Sequence, residues 1–133
     1  MKTKKIKITV TLPAKPAEVF AALADGKQIR KWSKQVANVG PRIGGTFEMF
    51  GGWVKGKVVK YSKGKSFAHT WAPGDWEKRV KSTVKYSLRA TKAGTKVVLT
   101  HTGFPSEKER KNHRSGWYEF VLDPVKKYLK KRR

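Results

Sequence analysis

The chain contains no cysteine. Disulfides, thiolate metal sites and cysteine nucleophiles are therefore excluded. Acidic side chains are scarce: nine Asp and Glu face 32 Lys and Arg over 133 residues, a formal net charge of +23. No apolar run approaches the roughly 20 residues that span a bilayer as a helix. Three histidines are present, His69, His101 and His113, too far apart in sequence to match a zinc-ligand spacing. A phosphate-binding glycine loop is missing as well. Gly44, Gly45, Gly51, Gly52 and Gly56 form neither G-x-x-x-x-G-K-S/T nor G-x-G-x-x-G before a helix, so they read as bends or bulges in a sheet. The basic start Met1–Lys5 runs into alternating Lys/Thr and Ile/Val rather than an apolar signal segment, so a cytoplasmic location is expected.

Chains this charged usually repel themselves and bury too little to fold. This one nevertheless keeps 38% hydrophobic residues, with five Trp, six Phe and four Tyr. The charge is expected on the outside of one folded domain covering residues 1–133, a monomer that buries roughly two-thirds of its unfolded surface.

Ile6, Ile8, Val10 and Leu12 alternate with polar residues, the period of a half-buried strand. Pro13 and Pro16 end it and open a helix with Val19, Phe20 and Leu23 on its apolar face. Asp25-Gly26 precedes a second short helix carrying Ile29 and Trp32 inward, and residues 33–44 read as loop. Strands are expected at Thr46–Phe50, Trp53–Tyr61, Ser66–Trp71, Val80–Ala90 and Lys96–Thr102, forming an antiparallel meander. Ser106 and Glu109 have capping-box spacing at the start of a last helix. Trp117, Phe120, Val121, Pro124, Val125, Tyr128 and Leu129 then make a continuous stripe at helical spacing. Pro124 lies inside that stripe and should kink or split the helix.

The order and certain residues together resemble the SRPBCC (START-like, birch-allergen-like) helix-grip superfamily. Within it, the chain is similar to the branch typified by the C-terminal domain of the heat-shock protein 90 ATPase activator. The resemblance is carried by Ala22–Asp25 leading to Ile29 and Trp32, and by Gly44-Gly45, Phe47 and Phe50–Val54. Gly64-Lys65 before Trp71, Asp75-Trp76, Leu99–His101, Gly103, Pro105, Gly116-Trp117 and Leu122–Pro124 continue it. Two positions depart from the pattern: Ser62-Lys63 where a Pro is frequent, and Ala72 where a basic residue is common. The resemblance implies an α+β helix-grip fold: a curved antiparallel sheet wrapped around a long C-terminal helix, with two short helices after strand 1. It also implies a cavity between sheet and helix that takes an apolar ligand in many relatives. The two-domain activators carry a further N-terminal domain, so chaperone contact through this chain is expected to be weak.

Phe47, Trp53, Trp71, Trp76, Tyr86, Trp117, Val121 and Tyr128 are the candidate cavity lining, against a background in which large aromatics mostly build core. The histidines show no partner nucleophile or orienting carboxylate in the sequence, so structural roles are expected and the chain is read as a non-enzyme without cofactor or metal. Asp75, after Pro73-Gly74, is a turn residue near a candidate cavity mouth. Glu119 and Asp123 read as solvated neighbours on the last helix.

Lys outnumbers Arg 24 to 8 and is spread over every expected element. That is a coat rather than a base-reading patch. Lys55, Lys57, Lys81, Lys85, Lys127, Lys130, Lys131, Arg132 and Arg133 are the candidate contacts to nucleic acid or other polyanions, bound without sequence preference. The loss of optional acids also fits deliberate supercharging of a helix-grip scaffold.

Overall fold

The computed structural model describes residues 5–77 and 80–131. Strand β1 (Lys5–Leu12) is followed by helices α1 (Pro16–Ala24) and α2 (Gly26–Ser33). Six strands come next: β2 (Asn38–Val39), β3 (Thr46–Met49), β4 (Val54–Ser62), β5 (Ser66–Pro73), β6 (Ser82–Thr91) and β7 (Gly94–Thr102). The chain ends in 25 residues of helix: α3 (Glu107–Gly116), a π-helical turn (Trp117–Leu122) and α4 (Asp123–Lys131).

All seven strands form one antiparallel sheet in the order β1-β7-β6-β5-β4-β3-β2. The expected α+β helix-grip architecture is thus present. Hairpins connect β3 through β7, and β1 returns to close against β7. The register aligns inward side chains in rows. His69 of β5 pairs with Val84 of β6, Val84 with His101 of β7, and His101 with Ile6 of β1. A neighbouring row runs Phe67, Tyr86, Leu99, Ile8. These residues are all buried, and α1 and the last helix pack into the same core through Val19, Phe20, Leu23, Trp117, Val121, Val125 and Leu129. Each fully buried aliphatic or aromatic side chain contributes about 1.5–3 kcal/mol.

The sheet bends where β4 crosses β5. A register shift falls between Val58 and Lys60. At Gly56 a Cβ would lie 2.0 Å from the Thr70 carbonyl oxygen, so only glycine permits that approach. The Thr70 hydroxyl accepts from the Lys57 amide at 2.9 Å in the same bend.

The last helix departs from the expected stripe. It is neither split nor broken at Pro124. The π-helical turn before the proline absorbs it, with the Asp123 amide donating to the Tyr118 carbonyl five residues back. The inserted residue advances the phase, so Leu122 enters the core whereas Phe120 is 53% exposed. Other differences are local. Asn38–Val39 forms a short edge strand inside the expected loop, and Trp53 lies in the turn before β4. The capping box holds at its first half, since Ser106 Oγ accepts from the Glu109 amide at 3.2 Å.

Candidate functional site

At one end of the grip, the β3–β4 turn, the end of β5 and the loop after it face the first half of the last helix. An open cavity of about 280 Å³ lies between them. Phe50, Trp53 and Trp71 border it from the sheet side, with Asp75 in the loop. Glu109, Asn112, His113, Gly116, Trp117, Phe120 and Val121 border it from the helix. The helix residues fall mainly at 109, 112, 113, 116, 117 and 120, a single stripe at helical spacing.

Phe50 occupies left-handed backbone at φ 56°, followed by Gly51 at 69° and Gly52 at 91°. A non-glycine residue there is strained, and the two glycines let the turn reverse tightly around it. This conformation directs the Phe50 ring edge-on to Trp71 and to Phe120, at 6.4 and 6.5 Å. The Gly74 amide donates to the Trp53 carbonyl at 2.7 Å, joining the two loops at the mouth.

Behind the cavity, two indoles hold two histidines. The indole N–H of Trp117 donates to His101 Nδ1 at 3.1 Å, and that of Trp71 donates to His113 Nε2 at 3.1 Å. Indole nitrogens only donate, so both of those ring nitrogens are unprotonated acceptors. His101 therefore carries its proton on Nε2 and donates to Ser82 Oγ at 2.6 Å, while the Ser82 hydroxyl donates to the Trp71 carbonyl at 2.9 Å. His113 donates from Nδ1 to the Glu109 carbonyl at 2.9 Å. His69 donates from Nδ1 to the Thr70 carbonyl and stacks on Phe47, with ring centroids 3.6 Å apart.

Burial holds these rings neutral. It pushes His69 down to about 4. Burial also pushes His101 to about 2, helped by the proximity of His113 and His69. His113 is lowered by burial, against the opposing pull of the Glu109 carbonyl and of the Glu109 and Asp75 carboxylates. A serine beside a histidine suggests a nucleophile and base. The polarity here is the reverse. His101 donates a hydrogen bond to the serine's oxygen, and its far nitrogen accepts from Trp117 rather than donating to a carboxylate.

Of the sequence-based lining candidates, Trp53, Trp71, Trp117 and Val121 border the cavity. Phe47 and Tyr86 are core residues, Tyr86 stacking on Phe67. Trp76 packs on Phe104 and His113, and its buried Nε1 has no hydrogen-bond partner among the described residues. Tyr128 donates to Gln28 Oε1 at 3.1 Å in a separate groove between α2 and α4, beside Lys31, Lys127 and Lys131. The residues missed, Glu109, Asn112 and Gly116 among them, are polar or small; their signal is the helical spacing just described.

The candidate polyanion contacts do not converge. Lys55, Lys57, Lys81 and Lys85 are exposed along β4 and at and beside β6, on the sheet side away from the core. Lys127, Lys130 and Lys131 are exposed on α4, across the core from them. Arg132 and Arg133 lie outside the described residues. Among the described residues, no three His, Asp or Glu side chains are grouped to hold a metal ion, and no helix is long and apolar enough to cross a membrane.

Sheet, gripped helix and open aromatic end together define a helix-grip domain. Residues 13–130 match the family model described as activator of Hsp90 ATPase homolog 1-like protein, and the chain belongs to that family. It is 26% identical over 126 residues to an activator of 90 kDa heat shock protein ATPase homolog from Dictyostelium discoideum, covering 93% of this chain and 32% of that protein. It is 27% identical over 116 residues to an Hsp90 co-chaperone, AHA1, of Saccharomyces cerevisiae, covering 83% of this chain and 33% of that protein. The chain thus spans about a third of the length of these curated relatives. A crystal structure of an HSP90 activator from Plasmodium falciparum superposes with a TM-score of 0.87 at 26% identity, covering 95% of this chain and 96% of that one.

Proposed function

We propose that this chain is a non-enzymatic binding domain that takes a small, largely apolar ligand in its open cavity. The observation that carries the reading is a space of about 280 Å³ walled by Phe50, Trp53, Trp71, Trp117 and Phe120. Ligand sites are concave and mostly apolar with a few polar groups. Binding is favoured over catalysis because the nearest serine–histidine pair has the wrong proton polarity for a nucleophile. The test uses N-phenyl-1-naphthylamine, a neutral probe, so that the cationic coat does not attract it. Tryptophan quenching should saturate with the parent chain. Gly116→Leu should abolish it, because Gly116 borders the cavity and a Cβ there first meets Phe120 at 3.7 Å. Unchanged binding by that variant would overturn the reading.

A second reading concerns the surface: we propose that the coat binds nucleic acid and other polyanions without sequence preference. It is supported by the exposure of lysines on opposite sides of the molecule. Among the described residues, the ion pair joins Arg110 to Glu107 rather than engaging a lysine, and the neutral ring of His113 lies 3.6 Å from the Glu109 carboxylate. Affinity should fall steeply with salt as counterions are released, and should differ little between unrelated DNA and RNA oligomers. Salt-insensitive, sequence-selective binding would reject it. Reading the coat as supercharging of a helix-grip scaffold belongs to the same proposal.

Chaperone contact is the third reading. It is supported by the likeness to the crystallised chain of an HSP90 activator, 96% of which this chain covers. The chain, acting as one monomeric domain over residues 1–133 in the cytoplasm, would then make a weak contact. Its test is stimulation of the chaperone's ATPase by the chain alone.

A further inference from the structure

The identity of the ligand can be narrowed, on the premise that the cavity is a ligand site. Among the described residues, no Lys or Arg borders the cavity, whereas two of the nine acids, Asp75 and Glu109, do. Asp75, Glu109 and His113 border the same cavity, the Glu109 carboxylate lies 3.6 Å from His113 Nδ1, and both carboxylates act electrostatically on that ring. His113 adds no positive charge: both its nitrogens are committed, to Trp71 and to the Glu109 carbonyl, and burial keeps the ring neutral. The described lining therefore carries negative charge in a molecule whose net charge is +23. Apart from Asn112, Gly116 and Val121, the remaining walls are the rings of Phe50, Trp53, Trp71, Trp117 and Phe120, and ring faces attract cations. The indoles of Trp71 and Trp117 have spent their only N–H donors on histidines, so those walls offer nothing to an anion.

We propose that the cavity binds an organic monocation, an alkylated ammonium group on an apolar body. The apolar body lies against the aromatic walls, and the ammonium group lies at the rim near Asp75 and Glu109. The coat opposes this only weakly, because salt of about 0.15 M screens exposed charges beyond about 8 Å whereas the carboxylates border the site itself.

Phenyltrimethylammonium and its uncharged carbon isostere tert-butylbenzene separate charge from shape. Tryptophan quenching by each is titrated in about 0.15 M salt. The cation should bind the parent chain on the order of tenfold tighter or more. Asp75→Asn/Glu109→Gln should bring the cation down to the level of the isostere and leave the isostere unchanged. The single Asp75→Asn, in an exposed loop, should lose part of the preference. Equal affinities in the parent chain, or a preference that survives the double variant, would overturn the cation assignment and leave the ligand site standing. Failure of both compounds to bind would remove the ligand site and this inference with it.

Discussion

The indole of Trp117 and the imidazole of His101 are joined across 3.1 Å, linking the π-helical turn of the last helix to strand β7 in the core. This bond fixes the histidine tautomer, and through it the direction of the chain from His101 to Ser82 to the Trp71 carbonyl. One rotation of the helix would leave a buried nitrogen unpaired.

Trp117→Phe keeps a ring in the core but removes the donor. It should cost about 1–3 kcal/mol for the unsatisfied buried partner. Trp117→Ala should cost about 3–5 kcal/mol, because a cavity is added to the lost bond. Urea midpoints read both. Midpoints equal to the parent would show that Trp117 does not hold the grip.

Acid should destabilise the fold through its histidines. An unfolded histidine titrates near 6.5, whereas folded His69 titrates near 4 and His101 near 2. Below 6.5 the unfolded chain takes up protons that the folded chain does not. Stability is therefore complete above that pH and is lost as pH falls toward the folded values. With about two extra protons on the unfolded state near pH 5, the slope is roughly 3 kcal/mol per pH unit. Urea denaturation between pH 7.5 and 5 measures it, and a flat profile would contradict neutral burial of both rings.

The phase of the last helix makes a paired prediction. Leu122→Ala should cost about 2–5 kcal/mol, as for other buried leucines. Phe120→Ala, at a half-exposed position, should stay within about 1 kcal/mol. The reverse order would restore an uninterrupted α-helix through this segment.

Much of the fold is legible in the residues. Period-two alternation marks β1 and β6, and the capping box marks the start of α3. The π-helical turn is not legible, because a 3.6-residue stripe assumes an unbroken α-helix. That assumption places Phe120 inside and overlooks Leu122. The cavity is half legible. Its tryptophans stand out, but aromatics read alike whether they line a void or fill a core, as Phe47 and Tyr86 show. Its polar wall becomes visible only when Glu109, Asn112, His113 and Gly116 are placed on one helical face. The tautomers follow from cross-strand and helix contacts that no local sequence pattern encodes.

The central claim is that the aromatic end of the grip receives a ligand, and the tryptophan indole N–H resonances test it most directly. With N-phenyl-1-naphthylamine added stepwise, the signals of Trp53, Trp71 and Trp117 should move together and saturate. The signal of Trp32 should stay fixed, because its N–H is held by the Ala22 carbonyl at 2.8 Å and it does not border the cavity. Stationary signals from the three cavity tryptophans, or movement led by Trp32, would contradict the account.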